Sequence, residues 1–300
     1  MLDALLSAQV DERFVDWLAI ERTDGRIMDV GMYRHWVNPM QPFAAAIQPQ
    51  AAGIAVTSAT LRDGTDNEAH NWAVARQRTG AEWMNAPPQE IALASPFDYA
   101  GQTRVLVVTD IDRDDTEQVA SAMRGLFNAS GGGALGLFTA IQRLRAVHGE
   151  IAGQLEEAGL PLYAQHVDGM DIGTLVDMFR DDLHACLMGT DAVRDGIDVP
   201  GEALRLLVFD RVPWPRPSIL HKARRQAFGG KPYDDMLTRL RLKQAYGRLI
   251  RSADDRGVFV MLDSRLPSRL TGAFPEGVQV ERVGLKAAVQ QARDFLSVTL

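Results

Sequence analysis

The sequence predicts an α/β protein whose larger part is a parallel sheet covered by helices on both faces. Two observations carry this. From residue 103 onward, short apolar runs alternate with longer stretches of helical periodicity. The apolar runs are also continuous, as expected of strands buried on both faces. These strands are Arg104–Thr109, Ala134–Phe138, Leu160–Gln165, His184–Met188, Leu204–Phe209 and Val258–Leu262. The clearest helix between them is 141–156. There Ile141, Leu144, Val147, Ile151 and Leu155 share one side, with charges opposite. Gly131-Gly-Gly133 supplies the loop before the second strand, and a helix over 285–298 closes the chain.

The residues ahead of 103 read differently. Leu5, Leu6, Val10, Phe14 and Leu18 fall near one stripe, which predicts a helix over residues 1–20. Asp24-Gly25 is a turn signal, followed by a short strand, Arg26–Val30. Asn38-Pro39 and Gln41-Pro42 interrupt regular structure beyond that strand. Gly53–Val56 reads as a buried strand running into Thr57-Ser58.

Composition sets bounds. A 300-residue chain is one large domain or two, and 46% hydrophobic with 24% charged residues is ordinary for a soluble globular protein. The single cysteine, Cys186, excludes internal disulfides and fits a reducing cytoplasm. No window is apolar for long enough to span a membrane, and Met1-Leu-Asp-Ala-Leu-Leu6 lacks the basic start of a leader peptide. A formal charge of −7 argues against indiscriminate nucleic-acid binding. The charge is uneven, however. Arg205 to Arg251 holds twelve Lys/Arg against three acids, Asp210, Asp234 and Asp235.

One segment stands out chemically. In Gln244-Ala-Tyr-Gly-Arg-Leu-Ile-Arg251, the residues Gln244, Arg248 and Arg251 recur at i, i+4 and i+7. On an α-helix that spacing puts all three on one face. Two guanidiniums and an amide aimed one way suit a polyphosphate, because Arg presents a fixed fork of donors at any working pH. The spacing alone describes an exposed basic helix equally well.

Its neighbours decide between these. The segment matches Q-x-x-G-R-x-x-R, the last motif of superfamily 2 helicases. Thr57-Ser-Ala-Thr-Leu61 resembles motif III. Leu135-Gly-Leu-Phe-Thr139 with Arg143 resembles motif IV. Gly189-Thr-Asp-Ala-Val-Arg-Asp-Gly-Ile-Asp-Val-Pro-Gly201 is similar to motif V, and Asp263-Ser-Arg265 follows as D-x-R. Ser95-Pro-Phe-Asp-Tyr99 with Gln102 matches a further recurring segment. In this order the motifs resemble the DinG/XPD-like (Rad3-related) DNA helicases from about residue 50 to the end.

The resemblance implies a RecA-like fold, P-loop NTPase-like but without the phosphate loop. It implies the end of motor domain 1 over 1–62, a connecting segment over 63–102, and motor domain 2 over 103–300. The G-x-x-x-x-G-K-[ST] loop and the D-E-A-H box are missing. Asp66-Asn-Glu-Ala-His70 follows motif III rather than preceding it, so it reads as coincidence. One cysteine cannot hold the iron–sulfur cluster common in the family.

The residue roles implied are these. Arg251 is the finger on the γ-phosphate, Arg248 a second phosphate contact or a strut, and Gln244 orients water or phosphate. Gly196, Asp195 and Asp198 of motif V and Thr57, Ser58 and Thr60 of motif III bind or couple ATP. Asp195 stands where Glu or Gln is usual, and Arg194 where Trp is frequent. Thr139, Arg143 and Thr190 face DNA phosphates, with Trp214 as a stacking aromatic. ATP with Mg2+ would be held mainly by an N-terminal helicase half lying outside this chain. Single-stranded or duplex DNA is the other partner. The expected function is the C-terminal part of an ATP-dependent DNA helicase, with 5′→3′ polarity implied by the family alone. The alternative is a RecA-like module that binds single-stranded DNA or a partner without hydrolysing ATP.

Overall fold

The computed structural model describes residues 11–196, 199 and 201–297, with backbone alone for residues 195 and 196. The chain divides into two compact units. One is formed by residues up to Ile91 together with Trp214–Leu237; the other comprises Ala92–Pro213 and Thr238–Leu300. Among the described residues no helix is long and apolar enough to cross a membrane.

The second unit is built on a seven-stranded sheet of β3 (Thr103–Val108), β4 (Ala134–Leu137), β5 (Leu162–Ala164), β6 (Cys186–Gly189), β7 (Leu206–Phe209), β8 (Gly257–Met261) and β9 (Val280–Val283), in the order β5-β6-β4-β7-β8-β3-β9. All pairings are parallel. Period-two alternation sends the apolar residues to two cores. Val105 and Val107 join one, and Leu106 and Val108 the other. Helices α4 (Thr116–Ser130), α5 (Ile141–Glu157) and α10 (Leu285–Leu296) supply the second of these cores. The first is covered by α6 (Ile172–Asp181) and the end of α9 (Lys231–Tyr246). Completely buried Leu and Phe side chains such as Leu106, Phe127 and Phe179 each contribute about 1.5–3 kcal/mol. The expected strands are all present within two residues, and β9 is an addition, an edge strand whose Val-Glu-Arg-Val sequence lacks a continuous apolar run.

Local chemistry sets the ends. Asp115 accepts from the backbone N–H groups of Glu117 and Gln118 and starts α4; Asp171 does the same for α6. At Gly132 the backbone has φ 103°. A Cβ there would lie 2.4 Å from the His184 Cα, so only glycine fits between α4 and β4. Cys186 is buried in β6, and burial pushes its thiol up to about 12, so it is inert.

The first unit corrects the reading of the N-terminal residues. Residues 1–10 lie outside the described part, but Phe14–Thr23 is a strand, β1, rather than the end of a helix. It pairs antiparallel with β2 (Arg26–Trp36), which is longer than expected. Asp24 and Gly25 both have positive φ, 50° and 78°, the signature of a type I′ hairpin turn. Aromatic and β-branched residues on both sides of that turn outweigh the weak helical stripe. Trp17 stacks on Tyr33 across the pair at 5.3 Å, and Arg34 bonds Asp16 at 2.7 Å.

Gly53–Val56 is a second correction. It is extended chain outside any sheet, with Ile54 and Val56 45% and 52% exposed. The segment is apolar enough for a buried strand, but no described strand lies alongside to pair with it. The short α1 (Met40–Ile47) and α2 (Glu68–Thr79) complete this part of the unit. Asn67 caps α2 by accepting from His70 N–H, and Glu68 pairs with Arg62. Asp66-Asn-Glu-Ala-His70 is therefore a helix start. The excursion 214–237 adds α8 (Ile219–Ala227), tied by Arg224 Nε donating to the Val37 carbonyl at 3.1 Å.

Candidate functional site

The site residues of the second unit gather at the C-terminal rim of its sheet, where open α/β folds place their sites. Thr139 follows β4, Thr190 follows β6, Asp210 follows β7 and Asp263 follows β8. Arg113 lies just beyond β3.

Asp210 is the centre of this rim. It is completely buried. One carboxylate oxygen accepts from the Thr139 backbone N–H at 3.1 Å, and the other stands 3.1 Å from Arg143 Nε. Neither Asp210 Oδ2 nor Arg143 Nε has a directed hydrogen bond, so the approach is electrostatic. Burial pushes the Asp210 carboxyl up to about 6, against the pull of Arg143, the Thr139 amide and Arg211. Burial likewise lowers the Arg143 guanidinium, with Asp210 opposing.

A second carboxylate, Asp263, pairs with Arg113, accepts from Val212 N–H at 3.2 Å and accepts from Arg265 N–H at 3.0 Å. Asp114 accepts from Arg211 at 2.6 Å. Arg143 also donates to the Arg113 carbonyl. The rim is therefore a continuous charge network in which Arg113, Arg143 and Arg211 are matched by Asp114, Asp210 and Asp263. Sequence reasoning passes over Arg113, Asp210 and Arg211. The available signal is a charged residue set directly after a continuous apolar run, as Asp210 follows Leu206–Phe209.

Thr190 is buried, and both its N–H and its hydroxyl donate to Gln165 Oε1 at 2.9 Å. Beyond it, α7 (Asp191–Gly196) carries the middle of motif V. Arg194 is buried and pairs with Asp191 at 2.8 Å. Asp198 lies outside the described residues, as does the side chain of Asp195.

The last motif departs from its expected geometry. Helix α9 ends at Tyr246, so Gln244, Arg248 and Arg251 do not share one helical face. The amides of Arg248 and Leu249 bond three residues back, to Ala245 and Tyr246, tightening the chain into a turn. Leu249 and Ile250 still enter the apolar interior beside Leu242, Ala245 and Tyr246, and regular helix stops at Gly247, glycine being the weakest helix former after proline. Asp255 then closes the turn, accepting from Arg251 N–H at 2.6 Å and Ser252 N–H at 2.8 Å. Gln244 and Arg248 end half-buried and Arg251 exposed.

In the first unit, Thr57, Ser58 and Thr60 form a polar turn. Ser58 and Thr60 hydroxyls lie 3.2 Å apart, and Arg78 donates to the Thr60 and Leu61 carbonyls. Trp214 belongs to the same unit and is 37% exposed.

A seven-stranded parallel sheet between two helical layers defines a RecA-like domain. The family model described as the helicase C-terminal domain matches residues 123–281, and the chain belongs to that family. It is 31% identical over 233 residues to "ATP-dependent helicase DinG" of Mycobacterium tuberculosis (strain ATCC 25618 / H37Rv), covering 73% of this chain and 33% of the relative. It is 30% identical over 257 residues to "ATP-dependent DNA helicase YoaA" of Escherichia coli (strain K12), covering 80% of this chain and 38% of the relative. The chain thus spans about a third of the length of these curated relatives. Among solved structures, "S. cerevisiae Dbp5 bound to RNA and ADP BeF3" superposes with a TM-score of 0.50 at 15% identity, covering 75% of this chain and 53% of that one, a likeness of fold.

Proposed function

We propose that this chain is the C-terminal motor region of a DinG-type, ATP-dependent DNA helicase, working in the cytoplasm. One observation carries the reading. The family match over 123–281 encloses Thr139, Arg143, Thr190, Gln244, Arg248 and Arg251 in motif order. The relatives are named as helicases, so a module that binds without hydrolysis is not favoured.

In this reading residues 1–62 are the end of motor domain 1, 63–102 a connection and 103–300 motor domain 2. An N-terminal half holds ATP and Mg2+. The half-exposed apolar pair Ile54 and Val56 supports further protein covering that segment. Arg251, exposed on a turn whose backbone is fixed by Asp255, is the group that offsets charge as the γ-phosphate leaves. Arg248 and Gln244, half-buried behind it, act as strut and orienting amide. Thr139 and Arg143 present the rim to a DNA phosphate, with Asp210 holding both. Asp195, Gly196, Asp198 and the Thr57-Ser58-Thr60 turn couple nucleotide state to that rim. Trp214 stacks on a base.

The test is to supply the N-terminal motor half and measure DNA-dependent ATPase. Arg251→Ala should lower kcat on the order of 10³-fold while ATP affinity changes far less. Arg251→Lys should not restore it, because a point charge cannot reproduce the planar fork. Near-normal turnover in Arg251→Ala, with loss in Arg248→Ala, would move the finger to Arg248. Normal turnover in both would end the reading.

A further inference from the structure

The segment Ser95-Pro-Phe-Asp-Tyr99 and its companion Gln102 have no role in the chemistry above, yet they grip the motif that carries it. Asp98 caps the short α3 (Tyr99–Gln102) by accepting from Gly101 N–H at 3.1 Å. This turns the Gln102 side chain into the protein, leaving the residue 9% exposed. Its Nε2 then faces three backbone carbonyls at once: Ser252 at 3.0 Å, Ala253 at 2.9 Å and Asp255 at 3.0 Å. Those carbonyls belong to the turn that follows Arg251.

The same segment reaches the other end of the motif. The Thr103 hydroxyl donates to the Tyr99 carbonyl at 2.6 Å and lies 2.7 Å from the buried Tyr246 hydroxyl, at the last residue of α9. The stretch from Tyr246 to Asp255 is thus fastened at both ends by residues about 150 positions earlier in the chain. Packing joins the segments at one end, where the Tyr99 ring lies 6.1 Å from that of Tyr246, but not at the 252–255 turn. There a cavity of about 350 Å³ lies between Pro96, Phe97 and Asp98 on one wall and Ala253, Asp255 and Arg256 on the other. Across that gap the hydrogen bonds of Gln102 make the connection.

We infer that Gln102 is a positioning residue for Arg251: its amide fixes the 252–255 turn and so sets where the guanidinium stands. This rests on the finger reading proposed above. The chemistry of the side chain is specific. Three converging acceptors call for a terminus that only donates, and the NH2 of glutamine supplies it. Its own oxygen takes no part. A glutamate of the same shape would turn a carboxylate toward three carbonyl oxygens, and would regain a donor only when protonated.

Gln102→Glu therefore separates hydrogen bonding from shape. In the chain itself, amide exchange of the peptide spanning 248–257 should be about tenfold faster than wild type at pH 8, with the ratio narrowing toward unity at pH 5 as the introduced acid protonates. With the N-terminal half supplied, kcat at pH 8 should fall by about tenfold or more while the KM for ATP stays within about twofold. A purely space-filling role would leave both ratios flat with pH. Unchanged exchange, or a drop in kcat that ignores pH, overturns the inference. So does a silent Gln102→Glu beside a damaging Arg251→Ala. A silent Arg251→Ala instead removes the finger reading itself, whatever Gln102→Glu does, and the exchange result then reports the clamp alone.

Discussion

Asp210 should make this protein lose stability as pH rises through the range where most carboxylates make proteins more stable. Its carboxyl is pushed from 3.8 up to about 6 by complete burial, which outweighs Arg143 and the Thr139 amide. The sign comes from proton binding. Between the unfolded and folded values, the folded state holds a proton on Asp210 that the unfolded state has released. Its stabilising contribution is whole below about pH 4 and is lost as pH climbs through about 6. A shift of about two units is worth about 3 kcal/mol at 1.36 kcal/mol per unit. Asp210→Asn removes the titration while keeping an oxygen for Thr139 N–H. Urea midpoints followed by far-ultraviolet circular dichroism from pH 4 to 8 give the comparison. Other carboxylates titrate in both proteins, so the difference between the two curves isolates Asp210. The variant carries a constant offset from stranding Arg143; the slope is the prediction. Wild type should lose about 3 kcal/mol relative to Asp210→Asn between pH 4 and pH 7. Parallel curves, or a difference that grows the other way, would show that Arg143 and Thr139 outweigh burial and that the carboxylate is ionised throughout.

Two further outcomes are expected. Gly132→Ala combines a positive φ with a Cβ 2.4 Å from the His184 Cα, and should destabilise the second unit by about 3 kcal/mol or more in thermal unfolding. A near-neutral effect would mean that the loop relaxes freely. The chain alone should show negligible ATPase but weak binding to single-stranded DNA, falling steeply with salt as counterions are released. Salt-independent binding would argue against the rim and the basic run between Arg205 and Arg251.

Much of the second unit is legible in the sequence because its physics is local. Continuous apolar runs such as Leu204–Phe209 have no stable alternative to a strand covered on both faces, and those strands stand where the apolar runs predict them. The first unit is harder. Phe14 and Leu18 suggest a helical stripe only while the stronger signal, Asp24-Gly25 between two aromatic-rich segments, is read as a turn without its hairpin. Gly53–Val56 shows a different limit, since a strand needs neighbours that a sequence pattern does not display. At the site, the spacing of Gln244, Arg248 and Arg251 selects a segment whose geometry is not the helix it predicts. Periodicity carries on through Leu249 and Ile250 as if the helix continued, and does not display the stop at Gly247. Asp210 and Gln102 act through contacts 71 and about 150 residues distant, which no local pattern carries.

The sheet order also dictates a schedule for synthesis. Strand β3 lies between β8 and β9, and its register opposite β8 pairs Thr103 with Gly257. Both neighbours are made late. At typical elongation rates the roughly 150 intervening residues take about 10–30 s to appear. Throughout that interval the emerging chain carries Val105, Leu106, Val107 and Val108 with both backbone edges unsatisfied, a template for pairing with other chains. The nascent protein therefore passes through a stage in which an apolar strand at the heart of its sheet needs shielding, and slow translation or a cut before residue 257 should send it toward aggregates rather than toward a smaller folded domain.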